Sequence, residues 1–433
     1  MELSKLSEWN PWWENMELIR ELSGKPRKKY QSLINSINIR EVTVVLGVRR
    51  SGKSTLMYQM IDALFSKGVN SRQVLFVNLD DPKFNEDSLE DIYSTYRSLL
   101  NPEEKAYVFI DEIHKKENWE SWIRKKYDLR ENCKFVVSGS CSYLLRREYS
   151  TLLTGRNLTF EVFPLSFSEY VAFKGILVNR ELIRKGVISE KIKYQIFGAL
   201  NEYFEKGGFP EIFFAREEFK FKILKQYFDD ILYKDIISRH NINSEKVRDL
   251  ALFIITNFTS KISSRNLRNS LGISYDSIKD YISFYIESYI FFLNGHFSFS
   301  LKEQKAKSSK IYCIDNGLRN AVSFKFSKDS GKLAENIVSV ELKRKMDNVY
   351  YWEGRGEVDF VVKNRDKLIG INVSYSDEIA EREISGLGEF KDKFGKKVEK
   401  LIIITKNVEK KEKGIEFVPM WKWLLIQGGR DED

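Results

Sequence analysis

Residues 42–65 read VTVVLGVRRSGKSTLMYQMIDALF, and three local patterns follow one another in it without a break. Val42 to Leu46 form a short continuous apolar run, as expected of a strand buried in a parallel sheet. Gly47, Val48, Arg49, Arg50, Ser51, Gly52, Lys53 and Ser54 then satisfy GxxxxGK[ST], and Leu56, Met60 and Leu64 recur on one helical face. Glycines let the backbone curl around phosphates, so that its N–H groups and the helix N-terminus face the negative charge. On this reading Gly47, Arg50, Ser51, Gly52, Lys53, Ser54 and Thr55 bind a nucleotide. Lys53 reaches the β and γ phosphates, and Ser54 gives its hydroxyl to Mg2+.

YVFIDEIH supplies the other half of that site. Tyr107 to Ile110 make a second buried strand, with Asp111 at its C-terminal end. Asp111 is expected to hold magnesium through its water shell, and Glu112 to polarise the attacking water. A further strand, VLFVNL at 74–79, lies in sequence between the two, as in P-loop ATPases with an added central strand. KFVVSGS at 134–140 is the next strand, ending in polar residues suited to sensing the γ-phosphate; Ser140 is the expected sensor and Ser138 the alternative. Arg156, just after a glycine in TGRNLTF, either supplies positive charge to the transferring phosphoryl group or is a surface arginine. If it serves the reaction, its own site and a neighbour's site in a homo-oligomer are both open. ATP and Mg2+ are the expected cofactors.

A chain of 433 residues exceeds one ordinary core and is expected to hold three or four units. With 42% hydrophobic and 31% charged residues, its balance is that of a folded protein. Its strongest apolar run, Leu250 to Phe258, falls short of the roughly 18 residues that span a bilayer, so no membrane partner is expected. The first residues, MELSKLSEWNPWWENMELIR, carry acids and indoles where a signal peptide needs a basic start and an apolar stretch, which predicts a cytoplasmic protein. Cys133, Cys141 and Cys313 form no CxxC pair, and a structural role is expected for each. A net charge of +9 is compatible with DNA as a partner without requiring it. Heavy use of Lys, Glu and Ile suggests a heat-adapted source.

Taken together, NPWW at 10–13, GVRRSGKST, IDEIH followed by Trp119, SGS, TGR, PLSFSEY at 164–170, GGFPE at 207–211, KIYCIDNGL at 310–318 and EVDFVV at 357–362 run along nearly the whole chain. In this order the chain resembles archaeal members of an AAA+ ATPase family whose C-terminal part is similar to PD-(D/E)XK nucleases. The resemblance implies an α/β P-loop NTPase core of AAA+ type, a helical lid, a winged helix and a C-terminal α/β PD-(D/E)XK-like domain. The boundaries expected are an N-terminal segment at 1–30, the ATPase core at 31–167, the lid at 168–240, the winged helix at 241–300 and the nuclease-like domain at 301–433.

Residue patterns agree with that order. FKILKQYFDDILYKDII repeats apolar residues at helical spacing. Residues 245–293 suit a helix-turn-helix, whose second helix, Tyr275 to Glu287, would enter a major groove. Asp276 and Asp280 beside Lys279 weaken that reading, because carboxylates repel phosphate, and a structural or protein-contact role is expected ahead of it. Lys302, Lys305, Lys307 and Lys310 form a better phosphate-facing cluster, although a solvated loop is the default reading of such a run. GKLAENIVSVELKRKM reads as an amphipathic helix with Leu333, Ile337 and Val340 inward.

The resemblance places Glu335 and Asp359 at the first two acidic positions of a second metal site, with Glu357 on the same strand face as Asp359. Asn372 and Ser374 fall where the motif expects an acid and a lysine. A degenerate domain kept for binding is therefore expected over an ATP-dependent nuclease, unless another element supplies the lysine.

Overall fold

The computed structural model describes the chain except for residues 28–29, 141–152, 324–328, 347, 377 and 428–433; Cys141 lies outside the described residues. Two compact units divide it, Met1–Val162 and Phe163–Asp433.

In the first unit, strands β1 (Val42–Leu46), β2 (Val74–Asn78), β3 (Ala106–Asp111), β4 (Cys133–Gly139) and β5 (Asn157–Glu161) form a parallel sheet in the order β2-β3-β4-β1-β5. Helices α1 (Lys53–Phe65), α2 (Leu89–Leu99) and α3 (Trp119–Asp128) connect the strands. The strand inserted between the glycine-loop strand β1 and the acidic strand β3 is β4, whereas VLFVNL, the expected insertion, is the edge strand β2.

The exposed side of β2 is closed by the NPWW segment. Asn10 Nδ2 donates to the Phe76 carbonyl at 2.8 Å, and the Phe76 N–H donates to Asn10 Oδ1 at 2.6 Å. A side-chain amide thus replaces the missing neighbouring strand, which is one way to protect a sheet edge. Trp12 is fully buried in the core formed by Leu56, Met60, Phe76 and Val136.

The second unit begins with helices α4 (Phe167–Phe173), α5 (Glu190–Lys206) and α6 (Lys220–Asp230), the last running into a π-helical turn at Ile231–Ile237. Helices α7 (Ser244–Thr256), α8 (Ser264–Leu271) and α9 (Tyr275–Glu287) follow, then strands β6 (Phe291–His296) and β7 (Lys310–Cys313). After α10 (Asn316–Val322) and α11 (Ser330–Lys343) come β8 (Val349–Glu353), β9 (Glu357–Asn364), β10 (Lys367–Ser374), α12 (Glu381–Phe394), β11 (Val398–Thr405), β12 (Lys410–Glu412), β13 (Ile415–Pro419) and α13 (Met420–Gln427). These strands make one mixed sheet in the order β12-β13-β11-β10-β9-β8-β6-β7. The strand after α9 pairs antiparallel with β7, which is itself bridged to Lys261 between α7 and α8, and its last residues, Gly295 and His296, also join β8 of the C-terminal part.

Two predicted features look different in the fold. Helix α11 is buried on most of its sides, including Asn336, Ser339 and Glu341, because it packs against the sheet and also against α5 and α10. Asn336 is tolerated there because its amide exchanges two hydrogen bonds of 2.9 Å with the backbone of Cys313. GGFPE and KIYCIDNGL are two halves of one junction. The Asp315 carboxylate accepts from the Gly208 N–H at 2.7 Å, and a Cβ on Gly207 would stand 1.8 Å from Asp315 Oδ1. Burial pushes the Asp315 carboxyl up to about 6.

Candidate functional site

The glycine loop sits at the C-terminal end of the parallel sheet, between β1 and the first turn of α1. Gly47 has φ +146°, and a Cβ there would stand 2.0 Å from the Val162 carbonyl oxygen. Gly52 caps α1 in the left-handed region at φ 96°, and Arg50 also has a positive φ of 68°. Such backbone turns N–H groups inward. Lys53 is buried, with Nζ donating to the carbonyls of Gly47 at 3.0 Å and Val48 at 3.2 Å. Ser51 is buried within the same loop, and Thr55 lies in the first turn of α1.

Opposite the loop, Asp111 ends β3. Ser54 Oγ donates to Asp111 Oδ2 at 2.5 Å, and Ser138 Oγ donates to Asp111 Oδ1. Ser138 also accepts the Glu112 N–H at 3.2 Å, which holds Glu112 in a left-handed conformation at φ 54°. Ser138 can make both contacts because β4 lies directly beside β3. Ser140, the expected sensor, is buried just beyond the end of β4.

Burial pushes the Asp111 carboxyl up, and Glu112 adds to this; hydrogen bonds from Ser138 and Ser54 offset it only in part. Burial acts the same way on Glu112, but the positive charge of Lys53, His114 and Arg49 outweighs it and holds that carboxyl below its usual range. The Glu112 carboxylate thereby stays ionised. Hydroxyl and carboxylate oxygens are the donors a hard cation takes. Ser54 and Asp111, whose oxygens already face each other, fit Mg2+ and would be the residues to hold it.

Sequence reasoning missed several residues at this site. Arg27 Nη1 donates to the Ser51 carbonyl at 2.9 Å, so the N-terminal segment braces the phosphate loop. His114 Nδ1 lies 3.3 Å from Glu112 Oε2. Asp80 pairs with Lys115 at 3.0 Å and with Arg49 at 3.5 Å. His114 and Lys115 lie directly after the IDE motif and could have been noticed; Arg27 and Asp80 carry no local signal.

Arg156 is not brought to this loop. It precedes β5, whose first residue pairs with Val42, so it lies at the N-terminal end of the sheet, opposite the phosphate loop. There Arg156 Nε makes an ion pair of 2.8 Å with Asp128. Service to its own site is excluded by this position.

A second cluster lies in the C-terminal unit. Glu335 on α11 meets Glu357 and Asp359 on β9, and Lys310 from β7 stands among them. Lys310 is buried, which corrects its expected place in an exposed phosphate-facing run. Lys307 contacts Glu353 at 3.6 Å, while Lys302 and Lys305 are exposed. Burial and the Asp359 charge push the Glu335 carboxyl up. Burial alone would lower Lys310, but Tyr312 and the acids around it outweigh burial and keep the ammonium charged. Asn372 is fully buried on β10, and Ser374 is buried farther along the strand.

Comparisons with known proteins agree with the first site and leave the second without a name. Residues 39–171 match an AAA domain, residues 198–329 a domain of unknown function (DUF8612) and residues 330–423 another (DUF4143). An uncharacterized protein of Haemophilus influenzae is 28% identical over 410 residues, covering 92% of this chain and 98% of its own. Relatives are therefore not confined to archaea. Solved structures include AMPPCP-bound DnaA from Aquifex aeolicus, at 13% identity and TM-score 0.27 over 59% of this chain and 86% of that one. C. elegans PCH-2 is 16% identical at TM-score 0.25 over 52% of this chain and 59% of its own, and both likenesses are too slight to bear on the fold. The AAA match and the assembled loop support an ATPase. Among the described residues no helix is long and apolar enough to cross a membrane. An uncharacterized protein of Methanocaldococcus jannaschii is 33% identical over 408 residues, spanning 89% of this chain and 88% of the relative, and the chain belongs to the same family as that protein.

Proposed function

We propose that the chain is a Mg2+-dependent AAA+ ATPase that couples ATP turnover to the binding or remodelling of DNA, with a C-terminal PD-(D/E)XK-like unit that binds without cutting. One observation carries the ATPase reading: Lys53, Ser54, Asp111 and Glu112 meet at the C-terminal end of one parallel sheet, linked through Ser54, Asp111 and Ser138.

The loop backbone from Gly47 to Thr55, with Arg50, binds the phosphates. Lys53 exchanges the Gly47 and Val48 carbonyls for β and γ phosphate oxygens. Ser54 and Asp111 hold Mg2+, which when bound neutralises charge on those phosphates. Glu112, kept ionised by Lys53, His114 and Arg49, orients the attacking water and accepts its proton. Ser138 fixes Asp111 and the Glu112 backbone, and Ser140 stands close enough in sequence to sense the γ-phosphate. Arg156, being remote from its own loop, acts only on a neighbouring copy in a homo-oligomer. In that case turnover per chain rises with protein concentration and Arg156→Ala abolishes the rise; a concentration-independent rate rejects the role.

The DNA half of the reading is supported by the helix pair α8 and α9, which exposes Arg265, Arg268 and Lys279 in the winged-helix segment. Its test is ATP turnover with and without single-stranded, duplex and branched DNA, with Lys53→Ala as control. Stimulation or inhibition by one of these is expected. Turnover and affinity indifferent to all of them reject DNA coupling. A second reading, a nucleotide-dependent protein-interaction switch, is favoured by the exposed Asp276 and Asp280 on α9, and indifference to DNA would leave that reading in place.

A further inference from the structure

In the C-terminal unit, Glu335, Glu357 and Asp359 converge on one point, and a side chain already fills it. Lys310 Nζ lies 3.1 Å from Glu335 Oε1, 2.5 Å from Glu357 Oε1 and 3.1 Å from Asp359 Oδ1. Lys310 is only 4% exposed, and the Glu335 and Asp359 side chains beside it are largely covered, while Glu357 is open to solvent on its outer side.

The neighbouring oxygens are also engaged. Glu357 Oε2 takes Lys261 Nζ at 3.1 Å, and Asp359 Oδ2 accepts the Val373 N–H at 3.0 Å. Glu335 Oε1 accepts a further bond of 2.8 Å from the Tyr312 hydroxyl. Asn372, where the resemblance expects a carboxylate, turns its oxygen to the Asp359 N–H at 3.0 Å and its amide to Glu383 Oε2 at 3.0 Å. It offers no oxygen to the centre of the cluster.

A divalent ion needs these same oxygens at about 2.0–2.6 Å. It cannot share them with an ammonium, because two cations so close repel across a site whose centre, at Lys310, Glu335 and Asp359, is largely closed to solvent. Expelling Lys310 would strand a buried charge. The residues present therefore do not fit a divalent metal.

We propose that Lys310 is the resident cation of this cluster, standing where a divalent ion would stand, so that the C-terminal unit keeps the outline of a phosphodiester-cleaving site but takes up no Mg2+. The lysine comes from β7, so another element does supply the lysine that would speak for cutting, but it bonds all three acids at the position of the ion instead of standing beside a bound metal; β7 is also bridged to Lys261, the second cation of the cluster. This deepens the reading of the C-terminal unit as one that binds without cutting, and it does not depend on ATP hydrolysis.

The experiment is a Mn2+ titration of the nucleotide-free full chain, read by electron paramagnetic resonance, for wild type, Glu335→Gln, Lys310→Met and Lys310→Met/Glu335→Gln. Wild type and Glu335→Gln are expected to bind the same number of Mn2+ ions. Lys310→Met is expected to gain one ion, with a Mn2+-dependent rise in melting temperature, and the double variant to lose both. A wild-type ion lost in Glu335→Gln overturns the proposal, as does a folded Lys310→Met that gains none. If Lys310→Met does not fold, wild type against Glu335→Gln decides alone. ATP turnover of the same preparations tests the ATPase reading separately, so failure of one is distinguishable from failure of the other.

Discussion

Replacing Ser138 by alanine removes one oxygen and two hydrogen bonds. One is the charge-assisted bond to Asp111 Oδ1, and the other is the bond of 3.2 Å from the Glu112 N–H. Bonds to charged groups contribute about 1.5–3 kcal/mol and neutral ones about 0.5–1.5 kcal/mol, so the pair stabilises the site by roughly 2–4 kcal/mol. Part of that holds Glu112 at φ 54°, a conformation that costs a non-glycine residue about 1–2 kcal/mol. Without the bond, Glu112 relaxes away from the position that orients water, and Asp111 loses a donor that counteracts its raised pKa. If ~1.4–2.8 kcal/mol of this is expressed in the transition state, kcat falls about 10- to 100-fold. The assay is steady-state ATP turnover across a range of free Mg2+, with circular dichroism to confirm folding. Unchanged kcat and unchanged Mg2+ dependence in a folded Ser138→Ala protein would refute the role given to this serine.

Two further predictions concern the framework of the first unit. Asn10→Ala removes the clamp on β2, with three hydrogen bonds to Leu6 and Phe76, and should destabilise the protein by about 2–4 kcal/mol; an unchanged urea midpoint would contradict the edge-closing role. Lys134 is buried on β4, donates to the Glu41 carbonyl, and is pushed down to about 8 chiefly by burial. The native protein then binds this proton less tightly than the unfolded chain, whose lysine titrates near 10.5, so the penalty is full below about pH 8 and fades as pH rises towards 10.5. Lys134→Met should stabilise by about 2 kcal/mol at pH 7, after discounting the lost hydrogen bond, with the advantage vanishing near pH 10.5. A stability difference that does not change with pH would contradict it.

The parts of the first site that sequence made legible are the ones encoded locally. Strand, loop and helix around Lys53 are consecutive, and their chemistry is set by spacing alone. The ranking of Ser140 over Ser138 had no such support, since which serine meets Asp111 depends on β4 lying beside β3. NPWW and GGFPE were recognisable as motifs, yet their work is packing. Asn10 closes an edge that forms only when β2 is placed, and Gly207 makes room for Asp315, far along the chain. Helix α11 was read as amphipathic because periodicity registers apolar residues and cannot foresee that Asn336 finds a buried backbone partner. Lys310 looked like one of several surface lysines for the same reason. Its meaning lies in side chains that come together only through the sheet.

ATP turnover by the purified full chain, wild type against Lys53→Ala, at saturating ATP and Mg2+, tests the nucleotide site most directly. Hydrolysis by the wild type, and its loss by at least about a hundredfold in a folded Lys53→Ala protein, is predicted, because Lys53, whose ammonium reaches the Gly47 and Val48 carbonyls inside the glycine loop, is the cation proposed to meet the β and γ phosphates. Equal turnover by both proteins would contradict the assignment of the site.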